Sequence, residues 1–254
     1  MGAFLFIKFT FVKKNERIHA LDALRAIMML LGIILHASLT YSFVNHEGWP
    51  LHSPEDNHIF FDWLFGIIHI FRMPIFFIVS GFFASFLFYY KSPMLMIKNR
   101  VNRILGPFII FIFLLTPTAI LAIKYSKSVL NNSIINKSII DVLSSIKPFM
   151  FIPFSTMHLW FLYYLIMFSF LSFFLAFLFR NRPAHLDKII IGYNYILTNN
   201  LLKICSLSML TFLVLFISDS IWIEASTGFV PHLATFIFYF LFYLFGWILF
   251  KSNK

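Results

Sequence analysis

The stretch Leu21-Asp-Ala-Leu-Arg-Ala-Ile-Met-Met-Leu-Leu-Gly-Ile-Ile-Leu-His-Ala-Ser-Leu-Thr-Tyr-Ser-Phe-Val44 decides how this chain is to be read. It is mostly apolar and long enough to cross the hydrocarbon of a bilayer as a helix. Yet it holds Asp22, Arg25 and His36. At 3.6 residues per turn, eleven steps of about 100° bring His36 to within roughly 20° of Arg25, so the two share a face with Asp22, Met29 and Gly32. Ionisable groups inside a span are costly in lipid; they face a bundle interior or a watery cavity and mark function. This helix is predicted to be one wall of an active site or of a conduction path.

The remainder of the chain has the composition of a membrane protein. Apolar residues make up 60% of it and charged residues 12%, whereas a soluble domain carries about 25% charged residues, so bilayer hydrocarbon is the expected solvent for most of the surface. The net charge of +10 would suggest nucleic acid in a soluble protein. Here the basic residues lie in short connections between apolar runs, where cytoplasmic retention accounts for them, and no nucleic-acid partner is expected. The one cysteine, Cys205, sits in an apolar run, so an intrachain disulfide is excluded and no thiol metal site is signalled. No metal-ligand spacing, Ser-His-Asp pattern or phosphate-cradling glycine loop is present.

Six candidate spans follow, at about residues 21–44, 63–90, 104–123, 158–179, 203–222 and 232–250. The expected fold is all-α, a polytopic transmembrane helical bundle, with residues 1–254 as one integral-membrane domain because no linker divides them. The second run is too long for one perpendicular helix. Arg72-Met-Pro74 is expected to break it into an interfacial helix up to about Phe71 and a true span from Pro74, since proline disfavours helix at the preceding residue and removes a donor. The first twelve residues are apolar but too short to span and lack a cleavage pattern, so the first span is expected to be an uncleaved signal anchor.

Loop charges orient the bundle. Lys8, Lys13, Lys14 and Arg17 precede the first span; Lys91, Lys98, Arg100 and Arg103 fall between the second and third; Arg180, Arg182, Lys188 and Lys203 fall between the fourth and fifth. The alternate loops carry Glu47, Glu55 and Asp56, or only Glu224, while the loop at 124–157 is mixed, with Lys124, Lys127, Lys137 and Lys147. By the positive-inside rule both termini are expected to be cytoplasmic. Asp22 and Arg25 then lie near the cytoplasmic surface, and His36 about 16 Å further along at 1.5 Å per residue. His158 opens the fourth span from the outside, at a depth that brings it toward His36.

Each of these side chains also has a purely structural reading. Asp22 and Arg25 are three apart and can pair on the helix surface; His158 can be an interfacial histidine beside an anchoring tryptophan. Arg100 and Arg103, neighbours on a helical turn, suit the phosphates of a cytoplasmic nucleotide-bearing cosubstrate, or simply retain a loop on the cytoplasmic side. Arg72 abuts a long apolar run where an unpaired charge is expensive. Ser80-Gly81 forms a small-residue notch suited to close helix packing.

Together these residues carry a resemblance. Arg17-x-x-x-Leu21-Asp22-x-x-Arg25 followed by His36, then Phe71-Arg72-Met-Pro74-x-Phe-Phe-x-x-Ser80-Gly81-Phe82, then Arg100-x-x-Arg103-Ile-x-x-Pro107, then His158-Leu-Trp-Phe-Leu162 resembles the membrane-bound acyltransferase 3 family. The last motif, with Gly228-Phe-Val-Pro231 and Phe245-Gly-Trp247, is similar to its glucan-modifying branch, the glucan biosynthesis protein C-like or glucan succinyltransferase group. The resemblance implies an integral inner-membrane enzyme that moves an acyl group, acetyl or succinyl, from cytoplasmic acyl-CoA to a hydroxyl of an extracytoplasmic glycan. No permanently bound cofactor or metal is expected. The family's arginine and histidine pair falls on Arg25 and His36, and its paired arginines on Arg100 and Arg103. Since family members carry more spans than the six counted here, the resemblance also implies a chain incomplete toward its C-terminus.

Read on their own, the residues are compatible with that chemistry. Histidine has the pKa to take a hydroxyl proton near neutrality, which makes His36 the candidate base, with His158 and Asp22 completing the catalytic set. Arg25 and Arg72 suit a thioester carbonyl or a carboxylate on the acyl group; Arg100 and Arg103 suit CoA phosphates. Two other classes stay open: a transporter or flippase-like subunit with Arg25 and His36 as a proton or anion relay, and an inactive family member that serves as an assembly partner.

Overall fold

The computed structural model describes residues 19–46, 49, 51–53, 55–132, 140, 142, 144, 151–179, 183–218, 223 and 227–252. The apolar first twelve residues, and Lys8, Lys13, Lys14, Arg17, Glu47, Lys137, Lys147, Arg180, Arg182 and Glu224 of the orientation argument, lie outside them. The described elements are α1 His19–Thr40; α2 Ile59–Phe86, continued by the π-helix Leu87–Lys91; α3 Pro93–Arg100, continued by the π-helix Val101–Leu105 into α4 Gly106–Asn132; a 3-10 turn Met157–Leu159 leading into α5 Trp160–Leu178; α6 Pro183–Thr198; α7 Asn200–Ser218; and α8 Leu233–Ser252. Among the described residues the elements are all helical. Six helical stretches are long and apolar enough to cross a membrane: His19–Thr40, Ile59–Lys91, Pro93–Val129, Met157–Leu178, Asn200–Ile217 and Leu233–Lys251. The chain is a multi-pass membrane protein.

Helix α2 does not break at Arg72-Met-Pro74, contrary to the sequence reading. It runs unbroken through Pro74. Proline removes one donor, the one that would serve the Ile70 carbonyl, whereas ending the helix in lipid would free several backbone groups at once. Neighbouring helices cover this part of it, burying Met73, Pro74, Phe76 and Phe77.

The connection between the second and third spans is also tighter than a basic loop. Ser92 alone interrupts the helix. Its extended backbone ends one turn, its side chain accepts from Leu95 N–H at 3.1 Å, and Pro93 occupies the first helical position, where its missing donor costs nothing. Lys98, Arg100 and Arg103 therefore stand on helix continuous with the third span. Residues 183–198, read as part of a connection, form α6, whose Tyr193 hydroxyl donates to the Phe245 carbonyl of α8 at 3.0 Å.

The closest helix pair is α2 with α8. A Cβ on Gly81 would collide with the Tyr243 carbonyl, and one on Gly246 with the Ile78 carbonyl, so the two backbones touch at reciprocal glycines. Lipid tails are as apolar as the side chains, so dispersion packing rather than water exclusion holds such helices together, and small residues let it operate at short range. The Ser80-Gly81 notch fills that role. Around it Phe77 packs on Phe168 and Tyr239, with ring centroids 5.2 and 5.1 Å apart. Helix α1 lies against the N-terminal part of α2 through Leu35, Leu39, Phe65 and Ile68.

Candidate active site

The buried residues of α1 are Met28, Gly32, Leu35, Ser38 and Leu39. Arg25 and His36 flank this stripe, where a side chain can reach into the bundle without displacing the packing beneath it. Met29, expected on the same face, is exposed. Gly32 supplies the contact with α2, because the Arg72 guanidinium lies where its Cβ would be. Arg72 Nη2 makes only a weak contact with Met73 Sδ at 3.4 Å, and its Nε is buried without a hydrogen-bond partner. Among the described residues, the carboxylates in ion pairs are Asp22, with Arg25, and Asp62, with His46. Neither serves Arg72.

One turn beyond Gly32, the His36 ring sits between two others. It stacks on Trp49 at 5.5 Å and 16°, and meets the edge of His158 at 5.2 Å and 63°. Its Nδ1 is buried without a hydrogen-bond partner. Such an atom costs free energy unless a ligand satisfies it, which is how a binding site differs from a finished core.

Non-helical segments hold both partners of His36 in place. The Trp49 indole donates to Thr40 Oγ1 at 3.2 Å, anchoring the connection between α1 and α2 to the end of α1. The same connection is gripped by Asp62, which accepts from the Ser42 hydroxyl and from the backbone N–H groups of Phe43 at 2.9 Å and Val44 at 3.2 Å. His158 stands in the turn before α5. Both the backbone N–H and the hydroxyl of Thr156 donate to the Thr227 carbonyl, at 2.7 and 2.8 Å. Met157 then takes φ 43°, a left-handed conformation that side chains adopt at a cost. The turn aims His158 at His36.

Sequence reasoning missed three contributors. His69 lies one turn before Arg72 on α2, stacks on Phe65 at 5.3 Å, and its Nε2 lies 3.2 Å from the Ile223 carbonyl; helical spacing from Arg72 was the signal that pointed to it. Asp62 and Trp49 act through contacts with an irregular segment, which no periodicity marks.

Asp22, Arg25, Arg100 and Arg103 do not join this cluster. Arg25 Nη1 lies 3.8 Å from Asp22 Oδ1, and its guanidinium sits 5.7 Å from the Phe83 ring centroid, with both charged side chains about half exposed. Arg100 points inward: it is buried and its Nη2 donates to the Ser80 carbonyl at 3.1 Å. Arg103 is exposed. The intervening π-helix has more residues per turn than an α-helix, so residues three apart fall further short of a full turn, and the two arginines face different surroundings.

A family model described as an acyltransferase domain, the acyltransferase 3 model, matches residues 18–254. Glucans biosynthesis protein C of Escherichia coli strain K12, and its counterpart in Escherichia coli O9:H4 strain HS, are each 38% identical to this chain over 112 residues, 44% of this chain and 28% of the relative. The match thus covers less than a third of those relatives. No solved structure matches.

Proposed function

This chain belongs to the acyltransferase 3 family, and from that premise we propose that it is an integral membrane O-acyltransferase of the bacterial inner membrane. It moves an acyl group from cytoplasmic acyl-CoA to a hydroxyl of an extracytoplasmic glycan, such as a periplasmic glucan or a surface polysaccharide. The observation that carries this reading is the His36 ring between Trp49 and His158, its buried Nδ1 unpartnered, one turn along α1 from the Arg72 guanidinium.

In this mechanism the acceptor hydroxyl donates to the His36 imidazole, which takes its proton as the oxygen attacks the thioester carbonyl. The carbonyl oxygen gains the negative charge. Arg72 steadies it, a guanidinium without a carboxylate partner among the described residues, in a site of low dielectric. The intermediate collapses with breakage of the C–S bond, and the thiolate of CoA receives the proton from the imidazolium. An ester and free CoA leave. Trp49 and His158 fix the plane of the His36 ring, and His158 offers a second nitrogen to the acceptor. On the cytoplasmic side Arg103 meets the phosphates of CoA, Arg100 shapes the wall behind them, and Arg25, held by Asp22, lines the way toward Gly32.

Both termini are cytoplasmic in this arrangement. With Cys205 replaced, a cysteine at Asn57 is labelled by an impermeant thiol reagent from outside spheroplasts, and one at Asn99 only after permeabilisation. The function is tested by adding acyl-CoA to inside-out vesicles loaded with acceptor glycan and to sealed spheroplasts. Transfer in the vesicles alone is expected. Transfer from external acyl-CoA in sealed spheroplasts overturns the sidedness, and no transfer from any donor overturns the activity.

A further inference from the structure

A cleft of about 360 Å³ opens beside His158, between α4 and the turn that carries it. Most of its wall is carbon: Ile112, Leu115, Ala119, Ala122, Met157 and Leu159. The remaining residues are His158 and three threonines, Thr116, Thr118 and Thr156. Every one of those hydroxyls already donates to a backbone carbonyl: Thr116 to Ile112 at 2.6 Å, Thr118 to Leu114 at 3.0 Å, and Thr156 to Thr227 at 2.8 Å. Among the described residues, no lysine or arginine lines the cleft. Among the described side chains lining the cleft, the His158 ring is the one hydrogen-bond donor not already engaged.

That lining sorts ligands by chemistry. A carboxylate would lose its water and find one free side-chain donor among the described residues, the His158 ring; a sugar would bury hydroxyls against methyl groups; both are penalised. A hydrocarbon chain loses nothing and leaves water or headgroups behind. The cleft meets the reacting centre only through His158, whose ring touches that of His36. With each non-hydrogen atom taking about the volume of a water, roughly 30 Å³, the space holds on the order of ten such atoms. An acetyl group would leave most of it unfilled.

Resting on the acyltransferase reading above, we propose that this cleft seats the hydrocarbon body of the transferred acyl group. The enzyme therefore prefers unbranched acyl-CoA donors of several carbons over acetyl-CoA and over dicarboxylic donors such as succinyl-CoA. Ala119 and Ala122 set the chain length. Their small side chains keep the α4 wall open, and Leu115 limits its extent.

The test measures kcat/KM in nanodiscs for acetyl-, butyryl-, octanoyl- and succinyl-CoA, with a periplasmic glucan extract as acceptor, in wild type and in Ala119→Leu, Ala122→Leu and Leu115→Ala. Ratios between donors within one variant do not depend on how much of that variant folds. Wild type is expected to favour butyryl- over acetyl-CoA at least tenfold, since each buried methylene is worth about fourfold, with succinyl-CoA the poorest donor. Either leucine variant should lower the octanoyl-to-acetyl ratio about tenfold, and Leu115→Ala should raise it. A succinyl preference overturns the proposal. So does a profile that the leucines leave unchanged, which would make the cleft a seat for a membrane lipid chain. Both results leave the acyltransferase reading standing; transfer from none of the four donors overturns that reading and the proposal with it.

Discussion

The α2–α8 seam and the His36 cluster belong to one bundle and are built on opposite plans. In the seam, two regular helices touch through Gly81 and Gly246, and nothing larger fits. In the cluster, a helical histidine meets side chains brought by the irregular connection between α1 and α2 and by a strained turn, and polar atoms on His36 and Arg72 find no hydrogen-bond partner among the described residues. The seam is closed to ligand; the cluster is built to be completed by one. Substitutions in the first should damage the fold, and substitutions in the second should damage chemistry.

The largest effect should come from the seam. Gly81→Leu or Gly246→Leu places a side chain where backbone already sits, so the cost exceeds the about 1–3 kcal/mol of ordinary overpacking, in which side chains can give way. No folded protein is expected on size-exclusion chromatography in detergent. A monodisperse, active Gly246→Leu would break the contrast, because the seam would then tolerate what its geometry forbids.

Next comes His36→Ala, which removes the base and leaves a span apolar enough to insert. Turnover should fall about 10²–10⁴-fold, with membrane insertion and thermal stability in detergent unchanged. Wild-type turnover in this variant would move the base elsewhere. Gly32→Ala sharpens the same point at one remove. The new methyl group meets only the far end of the Arg72 side chain, which can swing away, so stability should barely change while turnover drops about tenfold through a displaced guanidinium. A large loss of stability with normal turnover per folded molecule would assign Arg72 to packing.

The smallest effects separate Arg100 from Arg103. Arg103→Ala should raise the KM for acyl-CoA a few-fold, and the difference should shrink as salt is added, since an exposed guanidinium meeting phosphate is screened. Arg100→Ala should instead lower thermal stability with little salt dependence, because its guanidinium is buried on the Ser80 carbonyl. Equal, salt-sensitive effects in both would restore them as a matched pair.

Much of the fold was legible in the sequence because spans are local. The length and apolar content of a segment are fixed by consecutive residues, so the six spans can be counted without knowing how they meet. The periodicity that put Arg25, Gly32 and His36 on one side of α1 is likewise a property of the helix alone. Failures of the reading also have local causes. Pro74 was treated by its intrinsic preference, which the cost of ending a helix in lipid overrides. The basic connection before the third span was judged by its charge, when Ser92-Pro93 already carried the signature of a helix start.

What the sequence by itself determined is the set of apolar helices and the polar edge of the first. Tertiary structure alone decided that His158 reaches His36, that Trp49 lies against it, that Arg72 fills the space Gly32 leaves, and that Arg100 turns inward while Arg103 stays outside. The reason is physical. Hydropathy and helical periodicity act between near neighbours along the chain, whereas each of those meetings depends on how helices and connections far apart in sequence pack, and on which polar atoms that packing leaves to be satisfied.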